Sequence, residues 1–235
     1  MKLTSKIEQT KTKSKKYTLD LRIHSPASLG YIGVQGLDTA PALVRLAKVK
    51  GIDVIAVTDY HCGAYIDRIS AAAKNSAVTV IPGVDLRCRV GNCDDVILTV
   101  LFPEKTSSRI IDEFLSAVGV TKEGKGNENY LVKTDFDVVL SQIEYFQGAA
   151  FPSRIDKTPH RMQIIPILVE QYGFKTFDVA YSETESFFKK TWPNKQFKIF
   201  SFSDANALAQ VGSRTAEVKL ESPDFVSIKE LVQRG

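Results

Sequence analysis

A chain of 235 residues, 43% hydrophobic and 25% charged, has the composition of an ordinary globular protein with room for one core of barrel size, which excludes fibrous and disordered classes. Lysine and arginine total 31 against 27 acids, so the net charge of +4 gives only weak attraction to polyanions and does not by itself argue for nucleic acid. The start is polar and Lys-rich, and no stretch has the length and apolarity of a membrane span or a signal-peptide core, so a cytoplasmic protein with no membrane partner is expected.

Residues 1–16 lack periodicity and are expected to form a flexible basic leader before a single domain over 17–235. A strand begins at Tyr17 and runs through D-L-R-I-H. Side chains two apart share a strand face, so Asp20, Arg22 and His24 are expected together on one side. After a Gly- and Pro-bearing loop, Asp38, Thr39 and Pro41 start a helix with Leu43, Val44, Leu46, Ala47 and Val49 as its buried stripe, stopped at Gly51. A strand over 53–57, a helix over 64–74 and a strand over 77–84 follow, an alternation that favours parallel pairing. A turn at Gly91 and Asn92 between two apolar runs predicts a hairpin over 84–102. Cys88 and Cys93 flank it, and with Cys62 they make an odd number, read as inert thiols.

Helices are expected over 107–118, 136–146 (Val138, Val139, Ile143 and Phe146 inward), 162–172, 183–189 and 227–233. Strands are expected over 148–152, 176–180, 197–202 and 215–220, and the Gly- and Lys-rich stretch 119–134 reads as a surface loop or lid. Seven or so strand–helix units with no linker or repeat argue for one closed α/β barrel.

Several apolar strands end in a carboxylate. Residues 54–57 run into T-D-Y-H, 78–81 into P-G-V-D, and 198–201 into F-S-D-A-N. Polar groups at strand ends suit the rim of a barrel, where strands meet loops. The loop 153–161 adds Arg154, Lys157, His160 and Arg161, four donors that would suit a phosphate or otherwise form a solvated charge run. No glycine-rich phosphate loop and no nucleophile elbow occurs.

Five segments resemble the motifs of the PHP (polymerase and histidinol phosphatase) superfamily, in its order and over residues 18–212. D-L-R-I-H-S-P-A-S is similar to its D-L-H-x-H-S/T opening, and G-I-D-V-I-A-V-T-D-Y-H to its segment ending T-D-H-N. V-I-P-G-V-D resembles I-P-G-x-E, A-A-F-P-S-R resembles A-H-P-x-R, and S-F-S-D-A-N-A-L-A-Q-V-G resembles G-S-D-A-H with its following I-G. The resemblance implies a distorted (β/α)7 PHP-type barrel, and a metal-dependent phosphoesterase site with a cluster of Zn, Mn or Fe ions at the strand C-termini.

The departures fall on the ligands. Arg22 stands for the first histidine, Leu29 or Gly30 for the next ligand, Tyr60 for the histidine after Thr58 and Asp59, Asp85 for a glutamate, Ile97 and Phe151 for two later histidines, and Asn206 for the last. His24 and Asp204 are unchanged. The resemblance assigns His24, Asp85 and Asp204 to one ion, whose fourth ligand is now Arg22. An arginine stays protonated and cannot ligate a cation, but it can pair with carboxylates, so its guanidinium is expected to replace the ion's charge between Asp85 and Asp204. Asp59 is expected to cap the helix near Cys62 and Tyr60 to donate its hydroxyl to a carboxylate, while His61, one position late, could stand in for the lost histidine.

The pocket is therefore expected to comprise Arg22, His24, Asp59, Tyr60, His61, Asp85, Phe151, Arg154, Asp204 and Asn206. The function implied is a phosphoesterase-like domain with an eroded site, non-catalytic or binding a phosphorylated small molecule or nucleotide, with no cofactor. Two alternatives stay open. One is a divergent phosphoesterase using one divalent ion, Zn or Mn, at His24, Asp85 and Asp204; the other is a scaffold for nucleic acid or a polymerase-like partner.

Overall fold

Strand β1 (Lys15–Ile23) leads through a loop to helix α1 (Thr39–Val49), whose first turn is capped by the Asp38 carboxylate accepting from the Ala40 amide. Leu43, Val44 and Ala47 are buried and the helix ends before Gly51, at φ +69°. Val49, expected on the buried stripe, is 78% exposed because the last turn faces outward. β2 (Val54–Tyr60), α2 (Ile66–Ala73) and β3 (Thr79–Val90) follow, and β1, β2 and β3 pair in parallel. β3 turns at Gly91 (φ +57°), a left-handed conformation that favours glycine, into the antiparallel strand β4 (Cys93–Leu101).

The second half comprises α3 (Ser108–Ala117), α4 (Phe136–Tyr145), β5 (Ala149–Ser153), α5 (Pro159–Gln163), α6 (Ile165–Glu170), β6 (Thr176–Asp178), α7 (Thr184–Thr191), β7 (Lys198–Phe200), β8 (Ala216–Leu220) and α8 (Phe225–Val232). The helix expected over 162–172 is two short ones, broken at Ile164 because Pro166 cannot donate a backbone bond and sits in the first turn of α6. Val138 lies 44% exposed on α4, whose inner face is Phe136, Val139, Leu140 and Ile143.

This computed structural model describes residues 14–233. Most of the expected leader, residues 1–13, lies outside them, and Lys15 and Lys16 already belong to β1, paired with Leu220 and Lys219 of β8. Among the described residues the strands form a six-stranded sheet, ordered β5-β4-β3-β2-β1-β8, and a parallel β6-β7 pair. The large sheet curls into a half-barrel. An isolated bridge between Ile23 and Ala205 joins the pair to the end of β1, and the Ile155 amide donates to Asp178 O after β5. The strand–helix alternation is interrupted, since β4, β5 and β8 pair antiparallel to their neighbours. No helix among the described residues is long and apolar enough to cross a membrane.

The two sheet faces carry separate cores. Ile55, Val57, Val84 and Leu98 pack under helix residues such as Leu43, Ile69, Phe114 and Val139. On the concave face Leu21, Ala56, Ile81, Leu101, Phe151 and Phe202 form an apolar floor, closed from below by Phe225 and Ile228 of α8. Gly83 permits the close packing above this floor, since a Cβ there would stand 2.9 Å from both Thr58 Cγ2 and Val100 O.

One irregularity decides the site. Asp20 pairs with Ile55, and an unbroken register would pair Ile23 with Thr58; Ile23 instead pairs with Val57. This extra residue in β1 is a bulge, which resets the alternation of faces. Asp20 and Ile23 share the helix-covered side, while Leu21 and Arg22, consecutive in sequence, both turn inward. Asp20, Arg22 and His24 therefore do not share one face. Asp20 accepts from the Ser203 and Gly212 amides and holds the chain after β7.

Candidate functional site

Directly above the apolar floor the concave face carries a layer of charge. Arg22, fully buried, donates through Nη2 to Asp85 Oδ2 at 2.7 Å and through Nε to the same oxygen at 3.2 Å. Its Nη1 reaches Asp178 Oδ2 at 3.3 Å, and Nη2 also lies 3.0 Å from Asp204 Oδ1. Asp85 is further held by the Thr99 hydroxyl at 2.6 Å, itself 2.7 Å from Ser153 Oγ. Arg154 closes the other side, with Nε 3.1 Å from Asp204 Oδ2 and Nη2 on the Phe202 and Ser203 carbonyls. His24 stacks on Tyr60 at 5.0 Å, with Nε2 3.2 Å from Asp204 Oδ1 and Nδ1 buried without a partner.

Asp178 is absent from the sequence reading, although T-F-D at the end of β6 carries the same apolar-run-then-carboxylate signal as the other rim motifs. The site also concentrates backbone strain. Of four described non-glycine residues with positive φ, Arg154 (49°) and Asp204 (53°) belong to this layer and His61 (50°) directly follows Tyr60, a conformation that persists where surrounding contacts over-determine it.

Electrostatics follow from the burial of three carboxylates against two guanidiniums. Burial would lower the Arg22 pKa, but Asp204, Asp85 and Asp178 raise it well above its ordinary value. Burial would raise Asp204, yet Arg22, His24 and Arg154 hold it well below the carboxylate range. Asp178 goes the other way, pushed up to about 6 by burial that the arginines only partly offset. His24 is raised despite burial, through its hydrogen bond to Asp204 and the charge of Asp85.

Other expected residues take different places. Asp59 does not cap a helix: its carboxylate accepts from the Ser25 amide (2.7 Å) and from the Ser25 and Ser28 hydroxyls (2.5 and 2.6 Å), which fixes the S-P-A-S turn. His61 is turned from the charge layer, with Nδ1 3.2 Å from Asn127 O and Nε2 accepting from the Arg87 amide at 2.9 Å. Both ring nitrogens are thus engaged by backbone, and burial lowers its pKa to about 4. Phe151 belongs to the apolar floor. Asn206 contributes its carbonyl to the Ile32 amide, and its buried Oδ1 has no partner. Tyr60 reaches the mouth, but its hydroxyl donates to no carboxylate among the described residues.

Outside the charge layer lies a cleft of about 230 Å3 lined by Tyr60, Ile97, Arg154 and Asp204, by Arg87, Asp95, Lys157 and Arg161, and by Glu128 and Asn129 of the 119–134 loop. That loop is tied down by backbone bonds, Gly126 N to Tyr60 O at 2.8 Å and Val132 N to Arg87 O at 2.9 Å. Arg161 grips Asp95 through Nε and Nη2 (3.0 and 2.9 Å) and spends Nη1 on the Arg154 carbonyl. Of the four expected phosphate donors, Arg154, Lys157 and Arg161 line the cleft; His160 is exposed on α5 and is not part of the lining.

The donor set does not fit a divalent ion. Guanidinium N–H groups occupy oxygens of all three carboxylates, and Arg22 stands between Asp85 and Asp204. No group of three or more His, Cys, Asp or Glu among the described residues is arranged to hold a metal.

No family model matches the sequence, and no curated protein matches it. Solved structures do share the fold. The lesion-specific endonuclease Q of Pyrococcus furiosus superposes with a TM-score of 0.66 at 16% identity, over 93% of this chain and 56% of that one. A two-domain protein from Bacteroides vulgatus containing a predicted PHP-like metal-dependent phosphoesterase gives 0.61 at 12%, over 93% and 63%. An amidohydrolase from Chromobacterium violaceum, solved with bound sulfate and no metal, gives 0.62 at 12%, over 92% and 97%. The chain thus has a PHP-like fold, and it spans a little over half the length of the endonuclease.

Proposed function

We propose that this PHP-like chain carries an arginine–aspartate network where metal-dependent phosphoesterases of the same fold hold ions, and that it binds a phosphorylated small molecule or nucleotide at its rim without hydrolysing it. One observation carries this reading. The Arg22 guanidinium, 0% exposed, is bonded or ion-paired to Asp85, Asp178 and Asp204 at once. A guanidinium keeps its proton at any working pH, so it is a permanent cation that neither leaves nor activates water. Removing it would strand buried carboxylates, at a cost of several kcal/mol. The fold is retained on that substitute charge, and the chemistry that needs an ion is lost with the ion's ligands.

The rim cations give the site a remaining use. Arg154 and Lys157 face the cleft, where charge-assisted donors suit phosphate oxygens. A neighbour of the same fold, from C. violaceum, was solved with bound sulfate and no metal, which is compatible with an anion bound on this fold without an ion. We also read the two sheets as one distorted (β/α)7 barrel that starts with β1, since Ile23–Ala205 and Ile155–Asp178 link them on both sides. A phosphoesterase using one ion at His24, Asp85 and Asp204 would require Arg22 to leave a site that gives it three partners. Nucleic acid is the second reading, favoured by the likeness to a lesion-specific endonuclease.

Metal content of protein purified without chelator, turnover of a chromogenic phosphodiester with added Mn, and equilibrium binding of inorganic phosphate test the proposal together. Metal far below one ion per chain, no Mn-dependent turnover and phosphate binding weakened in Lys157→Met are expected. One tightly held ion per chain, or Mn-dependent turnover lost in Asp204→Ala, would overturn it. Salt-sensitive DNA binding in place of phosphate binding would move the reading to nucleic acid.

A further inference from the structure

The chemistry of the cleft wall narrows the ligand. Asp95 is committed to Arg161, through two bonds, and to Arg87 at 3.2 Å; Asp204 is committed to Arg22 and Arg154. Subtracting these internal pairs leaves two charged groups that make no ion pair among the described residues, Lys157 and Glu128, together with Nη1 of Arg154, whose Nε and Nη2 are taken by Asp204 and by the Phe202 and Ser203 carbonyls. Lys157 and Glu128 are both exposed and line the same small cleft from separate loops. Beside them stand the Asn129 amide and the Tyr60 phenol. Burial raises the Tyr60 pKa further, so its hydroxyl remains a donor.

Apolar recognition is nearly absent. Ile97 is the one aliphatic residue in the lining, and Tyr60, the one aromatic, already has a ring face covered by His24 at 5.0 Å. Among the described residues, the lining offers a nucleobase little apolar surface. The volume of about 230 Å3 is below the roughly 300–1,000 Å3 of pockets that enclose drug-sized ligands. An ammonium and a carboxylate lining one cleft together with neutral donors and acceptors complement a ligand with an anionic end and a hydroxylated end.

We infer that the cleft takes a phosphorylated polyhydroxy compound of about pentose size, its phosphate on Lys157 and Arg154 and its hydroxyls donating to Glu128 and bonding Asn129 and Tyr60. This rests on the phosphate-binding reading above and goes beyond it, because it excludes a base and assigns Glu128 a ligand. A carboxylate facing a phosphate site repels the anion unless hydroxyls intervene, so Glu128 is the discriminating residue.

The test is calorimetric titration of the full chain with ribose 5-phosphate, inorganic phosphate, ribose and adenosine monophosphate. Ribose 5-phosphate is expected to bind about tenfold tighter than inorganic phosphate, as one or two charge-assisted hydrogen bonds to hydroxyls provide. Glu128→Gln should abolish that preference while leaving inorganic phosphate binding intact or tighter; Lys157→Met should weaken both. Both side chains are exposed, so the variants are expected to fold, and circular dichroism checks that. Equal affinity for ribose 5-phosphate and phosphate, or adenosine monophosphate binding tenfold tighter than ribose 5-phosphate, would overturn the inference and leave the phosphate reading standing. No binding of any phosphorylated compound would overturn both.

Discussion

Replacing Arg22 by Met keeps most of the side chain's length and removes its charge. In the native protein Arg22, Asp85 and Asp178 are each 0% exposed. After the change Arg154 still serves Asp204 at 3.1 Å and lies 3.9 Å from Asp178, whereas Asp85 retains only the Thr99 hydroxyl. Stripping one partner from a buried ion pair costs about 3–5 kcal/mol, a large part of a typical stability of about 5–15 kcal/mol. Equilibrium urea unfolding at pH 7 should therefore show a lower midpoint at unchanged slope. The deficit should shrink toward pH 5, because carboxylates that lose a counter-charge take up protons. Adding Asp85→Asn to Arg22→Met should recover stability, a coupling of about 0.5–3 kcal/mol. A loss below about 1 kcal/mol, or a double variant less stable than Arg22→Met alone, would refute the view that Arg22 is the cation the three aspartates fold around.

Other outcomes follow from the same geometry. Arg22→His exchanges the fixed cation for a fourth potential ligand beside His24, Asp85 and Asp204, so elemental analysis should find Mn or Zn retained by the variant and not by the native chain. His61, buried and lowered to about 4 from an ordinary 6.5, binds fewer protons folded than unfolded between those values. Its own contribution to stability should fall by about 3 kcal/mol as pH drops from about 6.5 to 4, while Asp178, raised to about 6, acts in the opposite direction over part of that range; the difference between native and His61→Gln unfolding curves should therefore carry the His61 slope. Asp59→Ala removes the acceptor of one amide and two hydroxyls. It should cost about 1–3 kcal/mol and speed amide exchange at Ser25 and Ser28 more than at β2.

The sequence made the order of elements legible because local signals suffice for it. Asp38 before an apolar stripe marks α1, Gly91–Asn92 marks the β3–β4 turn, and strand ends with carboxylates mark Asp85 and Asp204. The same rule, applied to the three-residue β6, would have found Asp178; so short a strand gives little periodicity to read. Tyr60 and Arg154, each at the end of a motif strand, line one cleft. His61 and Asp59 were named as well, but their partners, the backbone of Asn127 and Arg87 and the turn at Ser25 and Ser28, come from loops whose path no periodicity predicts.

What the chain alone determined was composition-limited and local: one globular α/β unit, its strand ends, and an arginine where a metal ligand is expected by resemblance. Only the tertiary structure decided which groups that arginine serves. The bulge in β1 turns Arg22 inward and leaves Asp20 outward, a change of face that a strict two-residue alternation cannot show. Arg22 and Asp178 are 156 positions apart, and Lys157 and Glu128 reach one cleft from separate loops. Such meetings are set by the curl of the sheet and the closing of long loops, terms that depend on the whole fold and leave no mark on neighbouring residues.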